Sequence, residues 1–201
     1  VQTEASTESS VKQILKIAQE QQEAYSNFYR PFVTVAFAKS LDHCIALDSA
    51  GKKSSNLQLS GPESTVLTHA LRSQHDAILI GSKTLRIDNP RLNNRLWEGK
   101  SPQPVVLDTH LSCLEWPSIR ISQKPVWVCC SPDAYEINRQ SVDEEKFRLI
   151  RCQTTRNGHY LDLMDVLYQL RCRNIQSVMV EGGARVLESF LKNPYLVQAV
   201  C

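Results

Sequence analysis

The longest apolar runs in this 201-residue chain, such as PFVTVAFA (31–38), stop far short of the ~20 residues that cross a bilayer. No positively charged start followed by an apolar run marks a signal peptide. Membrane insertion and export are therefore not expected. Charge of either sign is also scarce in excess: 23 Lys and Arg against 21 Asp and Glu leave a net +2. No basic tract with interleaved aromatics is present, which removes the usual grounds for a nucleic-acid partner. There is no P-loop, no internal repeat and no low-complexity tract. None of the seven cysteines forms a C-x-x-C pair, and none of the five histidines has metal-ligand spacing, so no metal site is expected. Cys44, Cys113, Cys129, Cys130, Cys152, Cys172 and Cys201 are odd in number, with two adjacent inside the apolar run PVWVCC. That suits small buried side chains in a reducing cytosol rather than a disulfide framework.

What the chain does have is alternation. After a polar start (1–9, expected to fray), Val11, Ile14, Leu15 and Ala18 recur at helical spacing and predict a helix from Ser10 to about residue 25. FVTVAFA (32–38), AILIG (77–81), PVVLD (104–108), PVWVC (125–129), FRLI (147–150) and SVMV (177–180) read as strands. Helices are expected over 62–71, opened by a capping box in SGPE (60–63), around Leu163–Leu170, and from Gly183 to about Lys192. Strands alternating with helices predict an α/β fold with a central, mostly parallel sheet and helices on both faces.

Glycine is scarce, seven residues in all, yet two stand together in VMVEGGARVLESFL (178–191), where a strand meets a helix. Two readings compete. One is a tight corner, since glycine tolerates backbone angles that other residues avoid. The other is an anion cradle, in which bare backbone lets a phosphate reach the free N–H groups of a helix start. AILIGSKTLRIDNPRL (77–92) raises the same question. There a strand ends at Gly81, and Ser82, Thr84, Asp88, Asn89, Arg91 and Arg95 follow. A turn at Asp88-Asn89-Pro90 would explain the asparagine and the proline but not the threonine and arginines. VVLDT (105–109) repeats the pattern with Asp108 and Thr109. Ligands of open α/β sheets bind outside the carboxyl ends of the strands, so three polar strand tips point to one crevice.

FVTVAFAKSLD, AILIGSKTLRIDNPRL and VMVEGGARVL, in this order, resemble the reductases of riboflavin biosynthesis, over roughly Pro31 to Val200. The fungal and archaeal single-domain type, of dihydrofolate-reductase-like fold, is the one resembled. The resemblance implies a helical extension over 1–29 and a reductase domain over 30–201. YLVQAVC (195–201) reads as a strand just beginning, so the last strands of such a domain are expected to be missing. It further implies that NADPH reduces the ribosylamino side chain of a pyrimidinone 5′-phosphate to ribitylamino, in a cytoplasmic homodimer. Ala38 (through backbone), Thr84, Asp88, Asp108, Gly182, Gly183, Ala184 and Arg185 would hold the cofactor. Asn56, Arg72, Leu92 and Arg95 would meet the substrate, the arginines its phosphate. Glu181 is the implied catalytic carboxylate, bonding the pyrimidine or helping protonate the imine nitrogen. Ser131 and Arg139 are candidates for the 2′-phosphate of NADPH. The chain departs from the family in having His43 and Lys83 where glycine is common. The H-x-E and P-C-x-x-C patterns of a zinc deaminase are absent, so deamination is not expected. Another pteridine or folate-like reductase of this fold, and a nucleotide-binding module without catalysis, are the competing readings. A substrate phosphate calls for Arg72 and Arg95, whereas a pterin does not.

Overall fold

The structure, a computed structural model, describes residues 2–38, 61–116 and 124–201, with side chains from residue 8. In chain order the elements are α1 (Gln2–Ala24), β1 (Phe32–Val35), α2 (Pro62–Gln74), β2 (Ala77–Gly81) and α3 (Ser82–Asp88). They continue with β3 (Gln103–Leu107), β4 (Val126–Cys130), α4 (Pro132–Asn138), β5 (Phe147–Arg151) and α5 (Leu163–Arg171). Last come β6 (Ser177–Gly182), α6 (Ala184–Leu191) and β7 (Ala199–Val200). The strands form a seven-stranded sheet in the order β5-β4-β3-β2-β6-β1-β7. Every pairing among its described strands is parallel.

The two-residue period of the strands sorts side chains between two cores. Val33, Ala77, Leu79, Val105 and Val178 pack under α5 and α6, against Val166, Leu167, Leu170, Leu187 and Phe190. Ile78, Ile80, Val106, Val126 and Val128 face the opposite way, onto Leu85 of α3 and Ala134 of α4. On that second side Met179 meets Ala70 and Leu71 of α2 together with Val11 and Leu15 of α1. Helices thus cover both faces, and such burial is why β2 is apolar at every position before its glycine.

Some local expectations give way. The N-terminal helix starts at Gln2, not Ser10, and its buried Val11 and Leu15 make the extension part of the domain's packing. Gly61 is the N-cap of α2 and offers no side-chain bond, with Pro62 beginning the helix, so the expected capping box is not the cap; Ser60 lies outside the described residues. The first strand ends at Val35, although the ladder continues through Ala36 N–H to Val180 O at 2.9 Å. Helices α3 and α4 were not expected; α4 is capped by Ser131, whose Oγ accepts from Ala134 N–H at 3.2 Å. The last residues do form a strand, β7, paired with β1.

Candidate active site

Strands β2 and β6 lie side by side, but their outgoing connections diverge. The chain leaves β2 toward β3 and leaves β6 toward β7, on the far side of β1. That is the topological switch point of the sheet, where open α/β sheets bind ligands at the carboxyl edge. Both glycine-bearing joints end there.

They also touch. A Cβ on Gly183 would stand 2.9 Å from Thr84 Oγ1, and one on Gly182 would stand 3.7 Å from Thr84 Cγ2. A Cβ on Gly81 would stand 2.9 Å from Val186 Cγ2. Gly81 and Gly183 are therefore required by close approach, and Gly183 also by its φ of +82°. The corner and the cradle are not alternatives. The corner presents the start of α6 without a capping side chain, and the first amide to bond back to it is Leu187 N–H, to Gly183 O. The preceding amides of Ala184, Arg185 and Val186 are the donors that a helix start leaves over. No acidic residue occupies that first turn; Arg185 does, exposed, at the positive end of the dipole. A cation there is unfavourable unless an anion joins it. Thr84 meets this joint, and Asp88 follows four residues later on α3, one turn along the helix. The donor set fits a dinucleotide diphosphate.

On the other face of β6 stands Glu181. The register between β2 and β6 slips after Leu79, so that Ile80 pairs with Gly182 and Glu181 is the extra residue of a bulge. Bulges re-aim side chains. This one gives Glu181 to Arg72, at the last turn of α2: Nε to Oε1 at 2.6 Å and Nη2 to Oε2 at 2.5 Å. Arg72 Nη1 also donates to Asn93 O at 2.9 Å. Three residues back on α2, the buried His69 accepts the backbone N–H of Arg95 on Nδ1 at 3.1 Å. Burial, with Arg72 and Arg95 beside it, pushes His69 down to about 4. The imidazole is neutral at pH 7, with its proton on Nε2.

The remaining expected residues divide. Arg95 is exposed, its Nη1 3.3 Å from Asn93 Oδ1, at the same edge as Glu181. Leu92 has a left-handed backbone, φ +49°, and a side chain buried with Ile78 and Leu85, so that side chain is core rather than ligand surface. Asp108 is buried and spent within its own turn, accepting Cys113 N–H at 2.7 Å and both-sided contact from Ser112 Oγ. Ser131 caps α4, and the exposed Arg139 pairs with Glu136 at 2.8 Å. Ala38 is exposed just past the end of β1, on the same carboxyl edge. Asn56, His43 and Cys44 lie outside the described residues. Sequence reasoning missed His69 and the union of Arg72 with Glu181; an i, i+3 pair of His and Arg on α2 was its only trace. Among the described residues no group of three or more His, Cys, Asp or Glu could hold a metal.

A parallel sheet with a bare helix start at its switch point and a carboxylate–guanidinium pair beside it defines an α/β domain with a ligand-binding carboxyl edge. The chain belongs to the RibD C-terminal domain family, whose model matches residues 31–201. A Kluyveromyces marxianus protein named 2,5-diamino-6-ribosylamino-4(3H)-pyrimidinone 5′-phosphate reductase is 33% identical over 184 residues, 85% of this chain and 71% of that protein. The Saccharomyces cerevisiae protein of the same name is 33% identical over 180 residues, 85% of this chain and 70% of it. The solved riboflavin biosynthesis reductase Rib7 of Saccharomyces cerevisiae superposes with a TM-score of 0.71 at 30% identity, covering 94% of this chain and 79% of that one. A deaminase/reductase from Thermotoga maritima superposes at 0.61 and 26% identity, covering 82% of this chain and 42% of that longer one.

Proposed function

We propose that this protein is the pyrimidinone phosphate reductase of riboflavin biosynthesis, with NADPH as the hydride donor. The observation that carries the reading is the meeting of Thr84 with Gly182 and Gly183 at the switch point, which leaves an uncapped helix start for a diphosphate. The names of the relatives supply the substrate class: 2,5-diamino-6-ribosylamino-4(3H)-pyrimidinone 5′-phosphate.

NADPH supplies a hydride, which would reach C1 of the ribosyl group in its ring-opened imine form and leave a ribitylamine after protonation. The chain's own part is binding and orientation. Gly182, Gly183 and the first-turn amides of α6 would hold the diphosphate, with Arg185 as a counter-charge and Thr84 and Asp88 along one side. On the other side Glu181 would accept N–H groups of the pyrimidine, and Arg95 would meet the 5′-phosphate. We place the enzyme in the cytoplasm, which agrees with free, buried thiols at Cys113, Cys129, Cys130 and Cys152. A homodimer is the assembly that the resemblance implies. Light scattering of the purified protein tests it.

The decisive assay adds the ribosylamino-pyrimidinone phosphate and NADPH and follows the fall of nicotinamide absorbance. Turnover that requires both supports the reading, and NADPH oxidation indifferent to the substrate sinks it. NADH in place of NADPH tests the choice of donor.

A further inference from the structure

His69 is a polar side chain in the second half of α2 with almost no access to water, 2% exposed. Its Nδ1 accepts the backbone N–H of Arg95 at 3.1 Å. Burial, joined by the charges of Arg72 and Arg95, keeps the ring neutral, and neutrality is what leaves Nδ1 free to accept. A protonated imidazole would lose that bond and set a third cation beside two arginines. In a place so closed to water, an N–H that loses its acceptor stays unpaired, which is costly.

The bond is one of three contacts that seat a loop on α2. His69, Arg72 and Ser73 lie three and four residues apart and so share one face of the helix. His69 takes Arg95 N–H, and Arg72 Nη1 donates to Asn93 O at 2.9 Å. Gly99 packs so closely that a Cβ on it would stand 2.9 Å from Ser73 Cβ. The loop enters through Leu92, whose φ is +49° and whose side chain is buried with Ile78 and Leu85. Asn94 N–H donates to Ser101 Oγ at 3.1 Å and closes the loop on itself. Backbone is thus held at residues 93, 94 and 95, while the Arg95 side chain stays exposed, its Nη1 3.3 Å from Asn93 Oδ1. A fixed backbone under an exposed guanidinium is a pre-organised anion ligand, which loses less freedom on binding.

We propose that His69 is a positioning residue for the substrate phosphate: by accepting Arg95 N–H it fixes the loop from which the Arg95 guanidinium reaches that phosphate. The imidazole acts through Arg95. Without the acceptor, the loop regains freedom that phosphate binding must then remove. Asparagine can stand in, since its Oδ1 falls near the place of Nδ1, whereas leucine fills the space with no acceptor. The proposal rests on the reductase reading.

The test measures kcat and KM on the phosphorylated substrate and on its dephosphorylated nucleoside. It uses the parent, His69→Leu, His69→Phe, His69→Asn, Arg95→Met and the double variant of His69→Leu with Arg95→Met. The quantity read is the preference for phosphate, the ratio of the two kcat/KM values. His69→Leu should lower that ratio about tenfold, through KM for the phosphorylated substrate, as the loss of one buried hydrogen bond does. His69→Phe, which keeps a ring in the site, should do the same and serves if leucine does not fold. His69→Asn should restore most of the preference, and the Kd for NADPH should stay at the parental value throughout. The double variant should fall no lower than Arg95→Met alone, because the two residues act as one unit. A ratio unchanged in His69→Leu and His69→Phe, even with both activities reduced, makes His69 merely structural and the proposal wrong. Asparagine no better than leucine, or losses that add in the double variant, would also sink it. A parent that turns over neither substrate overturns the reductase reading, and this proposal with it.

Discussion

Thr84 Oγ1 lies 2.9 Å from the point where a Cβ on Gly183 would stand, which ties the end of one strand to the end of its neighbour through a single missing methyl group. Gly183 also holds φ at +82°. Gly183→Ala should lower unfolding free energy by about 1–3 kcal/mol, the cost of a side chain in a sparsely populated backbone region. Denaturant unfolding measures it. Adding Thr84→Ala should recover only the steric part, since the φ is unchanged.

Gly182 is the better probe of the cradle. Its nearest side-chain neighbour would be 3.7 Å from a new Cβ, an ordinary contact, and its φ is not left-handed. Gly182→Ala should unfold close to the parent while weakening NADPH in a fluorescence titration. Equal affinity would show that the diphosphate does not lie against this backbone.

Gly81 makes a purely mechanical prediction. A methyl group there would meet Val186 Cγ2 at 2.9 Å and push α6 off the end of β2. Gly81→Ala should cost about 1–3 kcal/mol by overpacking, and Val186→Ala in the same chain should relieve much of it. Thermal unfolding of the two single variants and the double variant decides the point.

Acid should destabilise the protein well before its ordinary carboxylates protonate. His75 is fully buried; Nδ1 donates to Leu71 O at 2.7 Å, so Nε2 must accept, from Thr34 Oγ1 at 2.8 Å and Gln22 Nε2 at 3.3 Å. Burial holds it below its usual 6.5, and His69 is pushed down to about 4. Between about 6.5 and 4 the unfolded chain therefore binds protons that the folded chain refuses, and stability falls as pH falls through that window. Asp76 extends the trend. Burial opposes its charge, but Lys100 Nζ at 2.8 Å and the N–H groups of Gln176 and Ser177 prevail and hold it below 3.8, so its contribution is lost at lower pH still. Urea midpoints at pH 7.5, 6, 5 and 4 should decline steadily. A flat profile down to pH 5 would mean that the histidines protonate in place.

Short continuous apolar runs and helical spacing elsewhere were enough for the class of fold, because burial on both sides of a parallel sheet leaves runs such as AILI and SVMV no other use. Two glycine joints and the polar tips after them were legible for the same reason: close approach and strand ends write themselves into residue type. Short elements were not. α3 and α4 are seven residues each, too brief for a helical period to show. The partners of the charged side chains were least legible of all. Asp108 caps its own turn, the Leu92 side chain is buried, and Arg72 pairs with Glu181, 109 residues away, none of which residue type alone foretells. Residue type sets what a side chain can bond. Which partner it meets depends on how a bulge, a crossover and a helix end are brought together, and only the tertiary structure decides that.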